Sequence, residues 1–194
     1  MKNIKNIAKV TVSVALLGAM SLSMTGCDIS DVGKTGKEIM GGVFDLDKDV
    51  SDFLNEDDDD YDFQVEYFED MLEVFEDSLD LKFDDIKANK TNINVKNKKA
   101  TVNYSYPIEG EVFEFELNLV KDGDDWVIDD NEEFIVDVAD LYFEIIDEVG
   151  SKSQKKAIKE FCEEADCDLE DAGQALYDSE YKVYDLYGEY IPIN

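Results

Sequence analysis

The chain has 194 residues and a formal net charge of -31, and all 18 of its basic residues are lysine, with no arginine and no histidine. Imidazole acid–base chemistry and imidazole metal ligation are therefore excluded, as is the basic footprint of a nucleic-acid-binding protein. With 44% hydrophobic and 11% aromatic residues, the chain carries apolar surface that an acidic disordered tail lacks.

The first segment begins with Lys2, Lys5 and Lys9 and continues through an uncharged apolar run over residues 10–20. That run is shorter than the roughly 20 residues a membrane-spanning helix needs, and it has the length of a signal-peptide hydrophobic region. Ser23-Met24-Thr25-Gly26-Cys27 follows, with small residues directly ahead of the cysteine. This segment resembles a bacterial lipobox. The resemblance implies that residues 1–26 are a signal peptide, that Cys27 carries a diacylglycerol and a palmitate-type acyl chain, and that the protein is a lipoprotein facing outward from the cell membrane. Ordinary cleavage without lipid, and an uncleaved anchor, are the competing readings.

Residues 27–43 read as a flexible tether, because Gly33, Gly36, Gly41 and Gly42 punctuate a stretch without evident apolar periodicity. Gly33-Lys34-Thr35 is not a phosphate-binding loop: Asp28 stands where the motif needs its first glycine, and no strand precedes it. Residues 44–194 read as one acidic domain. Residues 44–54 suit a short helix. Tyr67, Phe68, Met71, Leu72, Phe75 and Leu79 recur at spacings of three and four, which predicts a second helix after the acidic run 57–60.

The pattern then changes to period two. Thr91, Ile93 and Val95 alternate with polar residues; Val102, Tyr104, Tyr106 and Ile108 do so after Asn97-Lys98-Lys99; Phe113, Phe115, Leu117 and Leu119 do so after Glu109-Gly110. Asp122-Gly123 turns the chain into Trp126-Val127-Ile128. This predicts an antiparallel meander of about four strands with one buried face. Pro107 falls near a strand end, where its missing donor costs least. Asp130 and Glu133 signal the start of a long helix lined by Phe134, Val138, Leu141, Tyr142, Ile145 and Val149 and ended by Gly150. Residues 155–165 predict a weaker helix, with lysines and glutamates placed against the macrodipole, and Asp168 precedes a last one. The fold class is α+β: the meander packs one face on helices, with extra helices at the C-terminus.

The segment 61–129, with its helix, Lys99-Ala100-Thr101-Val102 and the closing stretch 121–129, resembles lipoprotein domains of the nuclear-transport-factor-like (cystatin-like) type. The resemblance implies a curved sheet wrapped around a helix, with a cone that either binds a small ligand or is filled by side chains.

No residue stands out as catalytic, cofactor-binding or metal-ligating. Asp45, Asp47, Asp49 and Glu56 have the spacing of a calcium loop, but Val50 occupies the position that must be glycine. Cys162 and Cys167 are either ordinary buried thiols or, if the helix breaks near Asp166, a disulfide. Tyr177, Tyr181, Tyr184, Tyr187 and Tyr190 either cover the sheet edge with hydroxyls in water or form an exposed stripe for a sugar or protein. Lys87, Lys90, Lys96, Lys98 and Lys99 form a basic island that either docks on an acidic patch or protects an edge strand. The function expected is non-enzymatic: an anchored domain that holds a small ligand, a cationic partner or a protein, or that has a structural role. The alternative is a glycan-active enzyme using paired carboxylates.

Overall fold

The computed structural model describes residues 26–44, 50–79, 88–187 and 190. The elements run α1 (Gly26–Gly42), α2 (Tyr61–Leu79), β1 (Asn89–Lys96), β2 (Lys99–Ile108), β3 (Glu111–Asp122), β4 (Asp125–Ile128), α3 (Asn131–Val149), α4 (Lys152–Ala165) and α5 (Ala172–Tyr187), with 3-10 turns at Ser51–Phe53 and Leu169–Asp171. This is the α+β architecture with C-terminal helices that the periodicities predict.

The sheet has the order β1-β2-β3-β4, all antiparallel. Its turns are built by residues in the left-handed region: Asn97 and Lys98, Glu109 and Gly110, and Gly123. Paired left-handed residues match the twist of a tight hairpin. Register places Tyr104 opposite Phe115 and Tyr106 opposite Phe113, so the aromatic residues share the buried face. Pro107 pairs only with Val112, beyond the end of β1, and no ladder bond to β1 is lost there. β1 is the outer strand, and its Lys90 and Lys96 are exposed, as an edge strand guarded by lysine should be. Lys99 nevertheless also pairs with Asp129 at 2.6 Å. Lys87 lies outside the described residues.

The largest departure from expectation is α1. Its residues read as a tether, and they form a helix docked on the buried face of the sheet. Val32, Ile39, Met40 and Val43 are all buried, and Gly36 completes their stripe at helical spacing. A Cβ on Gly36 would lie 2.5 Å from Tyr104 Oη, and one on Gly33 would lie 3.0 Å from Lys90 Nζ. The glycines thus let the helix sit close against the sheet. Asp28 fastens its first turn to Lys121 at 2.9 Å. The expected helix over 44–54 reduces, within the described residues, to the 3-10 turn at Ser51–Phe53.

α2 buries Phe63, Tyr67, Phe68, Met71, Leu72 and Phe75, the face its periodicity predicts. α3 is the central helix, with Ile135, Val138, Ala139 and Ile145 fully buried. Asp130 caps it by accepting from Glu133 N–H at 3.0 Å. Buried Asn131 accepts from Asn55 N–H (2.8 Å) and donates to the Asn55 carbonyl (3.0 Å) and to Gln64 Oε1 (2.8 Å), so its amide is satisfied inside the core. α5 reaches α3 through Gly173, whose N–H donates to Asp140 Oδ1 at 2.6 Å.

Candidate functional site

α4 begins three residues earlier than the lysine-to-glutamate pattern suggests. Ser151 and Gln154 form a reciprocal capping box: Ser151 N–H donates to Gln154 Oε1 at 2.6 Å, and Gln154 N–H donates to Ser151 Oγ at 3.3 Å. The lysines at its start also have a task. Lys155 Nζ donates to the Asp147 and Glu148 carbonyls at the end of α3, where a cation complements the helix dipole. Only Ile158 of α4 is buried.

Because α4 stands off from the core, a groove of about 490 Å³ opens along its apolar side. Phe75 of α2 meets Phe143 of α3 edge to face (5.3 Å between ring centroids), and Phe143 stacks on Phe161 of α4 (5.6 Å). These rings form the groove wall together with Met71, Val74, Ile146 and Ala157, and Leu176 of α5 closes one side. Val74 is among the exposed large apolar side chains of the molecule. The only polar side chains lining the groove, among the described residues, are Ser153 and Gln154.

A second groove, about 480 Å³, lies on another side of α3 and is of opposite character. β3 supplies Glu114 and Glu116; α3 supplies Asp137, Asp140, Glu144, Asp147 and Glu148; Glu170 lies at its end. Desolvation, followed by the charges of Glu133, Asp140 and Glu116, pushes the Asp137 carboxyl up to about 6. Asp140 and Glu144 are raised too, chiefly by desolvation, while the Gly173 N–H pulls Asp140 the other way.

The buried face of the sheet holds Phe113, Phe115 and Trp126, each almost wholly buried, and α1 covers part of it. The tyrosines take a third arrangement, different from both readings. Tyr177, Tyr181 and Tyr184 pack on Phe63 of α2, with ring centroids 5.5, 5.3 and 5.0 Å away, rather than on the sheet edge. Tyr181 donates to Asp60 at 3.1 Å, which gives part of the acidic run a structural role. Asp45, Asp47 and Asp49 lie outside the described residues, and Glu56 is exposed in the turn before α2. Cys27 falls in the first turn of α1, and residues 1–25 lie outside the described residues.

The apolar groove escapes sequence reading because its wall comes from four helices. One local signal marks it: Ala157, Ile158 and Phe161 are an apolar face on a helix rich in lysine and glutamate. No described helix is long and apolar enough to cross a membrane. No protein-family model, curated protein or solved structure matches the chain.

Proposed function

We propose that the protein is a lipid-anchored, outward-facing, non-enzymatic binding domain that takes a small neutral or cationic amphiphile in the groove between α2, α3, α4 and α5. The observation that carries the reading is the groove itself. Its volume of about 490 Å³ falls within the roughly 300–1,000 Å³ of small-ligand sites, and its wall is apolar with two polar side chains at hand to orient a ligand. The chain charge of -31 disfavours an anionic ligand such as a fatty-acid carboxylate. Anchoring rests on the lipobox-like residues 23–27, and stable attachment takes the two chains of a diacylglycerol.

Titration with Nile red, a neutral apolar fluorophore, and with a monoacylglycerol as competitor tests the site. Ala157→Trp fills the groove from an exposed position of α4. It should weaken dye binding at least ~10-fold and leave the melting temperature unchanged. Absence of saturable binding, or a variant that binds as well as the parent, overturns the groove as the site. Incorporation of a labelled fatty acid that Cys27→Ala abolishes tests the anchor.

A second reading, a glycan-active enzyme, has one observation in its favour: Asp137, pushed up to about 6, lines the acidic groove together with Glu114 and Glu116. Release of reducing ends from a cell-wall polysaccharide, lost in Asp137→Asn, would replace the binding reading with this one.

A further inference from the structure

We infer that Cys162 and Cys167 are a disulfide site that staples the C-terminal end of α4, the outer wall of the apolar groove. On an uninterrupted helix, a spacing of five points two side chains to different faces. Here one residue changes that. Asp166 adopts φ 55 and ψ 45, the left-handed conformation, and its N–H donates to the Cys162 carbonyl. The Cys167 N–H donates to the same carbonyl at 3.1 Å. The second bond is the 6→1 bond of a Schellman helix end and the first is the 5→1 bond of the left-handed cap; in the Schellman end the residue three places inside the terminus and the residue beyond the left-handed one are the pair that makes side-chain contact. Both of these contact positions are cysteine.

The backbone bond brings the two cysteines to one hollow, and the Cys167 thiol is close enough to perturb that of Cys162. Both are free and half-buried, and they line a hollow of about 950 Å³ beside Lys159, Glu163 and Asp168, so a small reagent can reach them. Burial first, and the neighbouring Cys167 thiol second, push the Cys162 thiol up to about 11. Its thiolate is therefore scarce near neutral pH, and exchange there is slow without a catalyst.

The oxidant is a small-molecule disulfide of the glutathione class. One cysteine, as thiolate, attacks a sulfur of that disulfide, forming a mixed disulfide and expelling one small thiolate. The second cysteine then attacks the protein sulfur of the mixed disulfide. The Cys162–Cys167 bond forms, the second small thiol leaves, two electrons pass to the oxidant, and the two protein S–H protons go to the two released thiols. The inference rests on the outward-facing reading for its oxidising compartment, and it adds a control on the groove. Ile158 is the one buried residue of α4, so core packing restrains this helix less than it restrains α3. Closing the short loop at one end holds that wall in place.

The test uses the full chain at neutral pH with oxidised glutathione, followed by acid quench, alkylation, trypsin and mass measurement. Cleavage after Lys159 and Lys182 leaves both cysteines in one peptide. The expected product is that peptide, lighter by two hydrogens and carrying no alkyl group. Amide exchange in the last two turns of α4 should slow about tenfold on oxidation, and Cys162→Ser and Cys167→Ser should abolish the change while keeping the helical circular dichroism of the parent. Two alkylated cysteines under excess oxidant, or glutathione adducts that never close, overturn the inference. Nile red titration of the oxidised and reduced chains separates the two readings: a cross-linked peptide without dye binding sinks the groove alone, and dye binding without the cross-link sinks the disulfide alone.

Discussion

α3 places 11 of its 19 residues in the core, whereas α4, joined to it through Gly150 and Ser151, is 14 residues long and buries only Ile158. α3 is held by tertiary packing: Phe134 lies 5.5 Å from Phe68 and 6.2 Å from Phe115, ring to ring, and Phe75 stacks on Tyr142 at 4.7 Å. α4 is held by motifs that involve its own residues and its neighbour's end: the capping box, the left-handed Asp166, and Lys155 on the carbonyls of α3. Its pairs Lys156–Glu160 (2.6 Å) and Lys159–Glu163 (3.6 Å) are solvent-exposed and contribute little. The difference teaches where a binding site can form in so acidic a chain. The core thins from α3 to α4, and the apolar groove is the space left by a helix that has enough local support to fold but not enough apolar surface to close on its neighbours.

The contrast can be broken from either side. Phe134→Ala should have the largest effect, about 3–5 kcal/mol of global stability, read as a lower urea midpoint for the whole domain. Ser151→Ala should cost about 1 kcal/mol and act locally: amide exchange accelerates within α4 and the urea midpoint moves little. If instead the two substitutions lower the midpoint equally, α4 is part of the cooperative core and the distinction fails. The smallest effect is electrostatic. Asp137, on the side of α3 away from the apolar groove, titrates near 6 in the fold against an ordinary value of about 3.9 when unfolded. The folded chain therefore holds this proton more tightly. The stability it contributes is present in full below the ordinary value and is lost as pH rises through about 6. Because the side chain is substantially exposed, the gain on moving from pH 7.5 to 5 should be modest, about 1–3 °C in melting temperature. Asp137→Asn should flatten that slope. A melting temperature that falls over this range would contradict the cause assigned to the shift.

Much of the sheet was legible. Strict alternation from Val102 to Ile108 and from Phe113 to Leu119 identified the buried face, and Asn97-Lys98 and Glu109-Gly110 identified the turns. α2 and α3 were legible from their apolar spacing, and the Asp130 cap from its own residue type. α1 was not, because Gly36 occupies a position in its stripe where an apolar residue would have shown the period. The rule that glycines mark flexible chain fails where close approach to a sheet outweighs their poor helix propensity. The start of α4 was obscured because Lys155 serves the end of α3 rather than its own helix. Of the candidate site, only the apolar face of α4 was visible locally. The turn that bonds Cys167 N–H to the Cys162 carbonyl depends on the backbone angles of Asp166, an aspartate where such helix ends usually carry glycine.

The docking of α1 fixes more than the core. Asp28 is bound to Lys121, whose own N–H donates to the Lys98 carbonyl at 2.8 Å, so the first turn of α1 sits where the β1–β2 and β3–β4 turns project. A lipid on Cys27, as proposed, would sit on the residue directly before that ion pair, with no intervening residue as slack. The domain would then stand directly on the bilayer with a defined top and bottom, its two turns downward, rather than swing on a leash. Its reach from the membrane would be set by the height of the fold itself, and a partner would have to approach to within that height to be held.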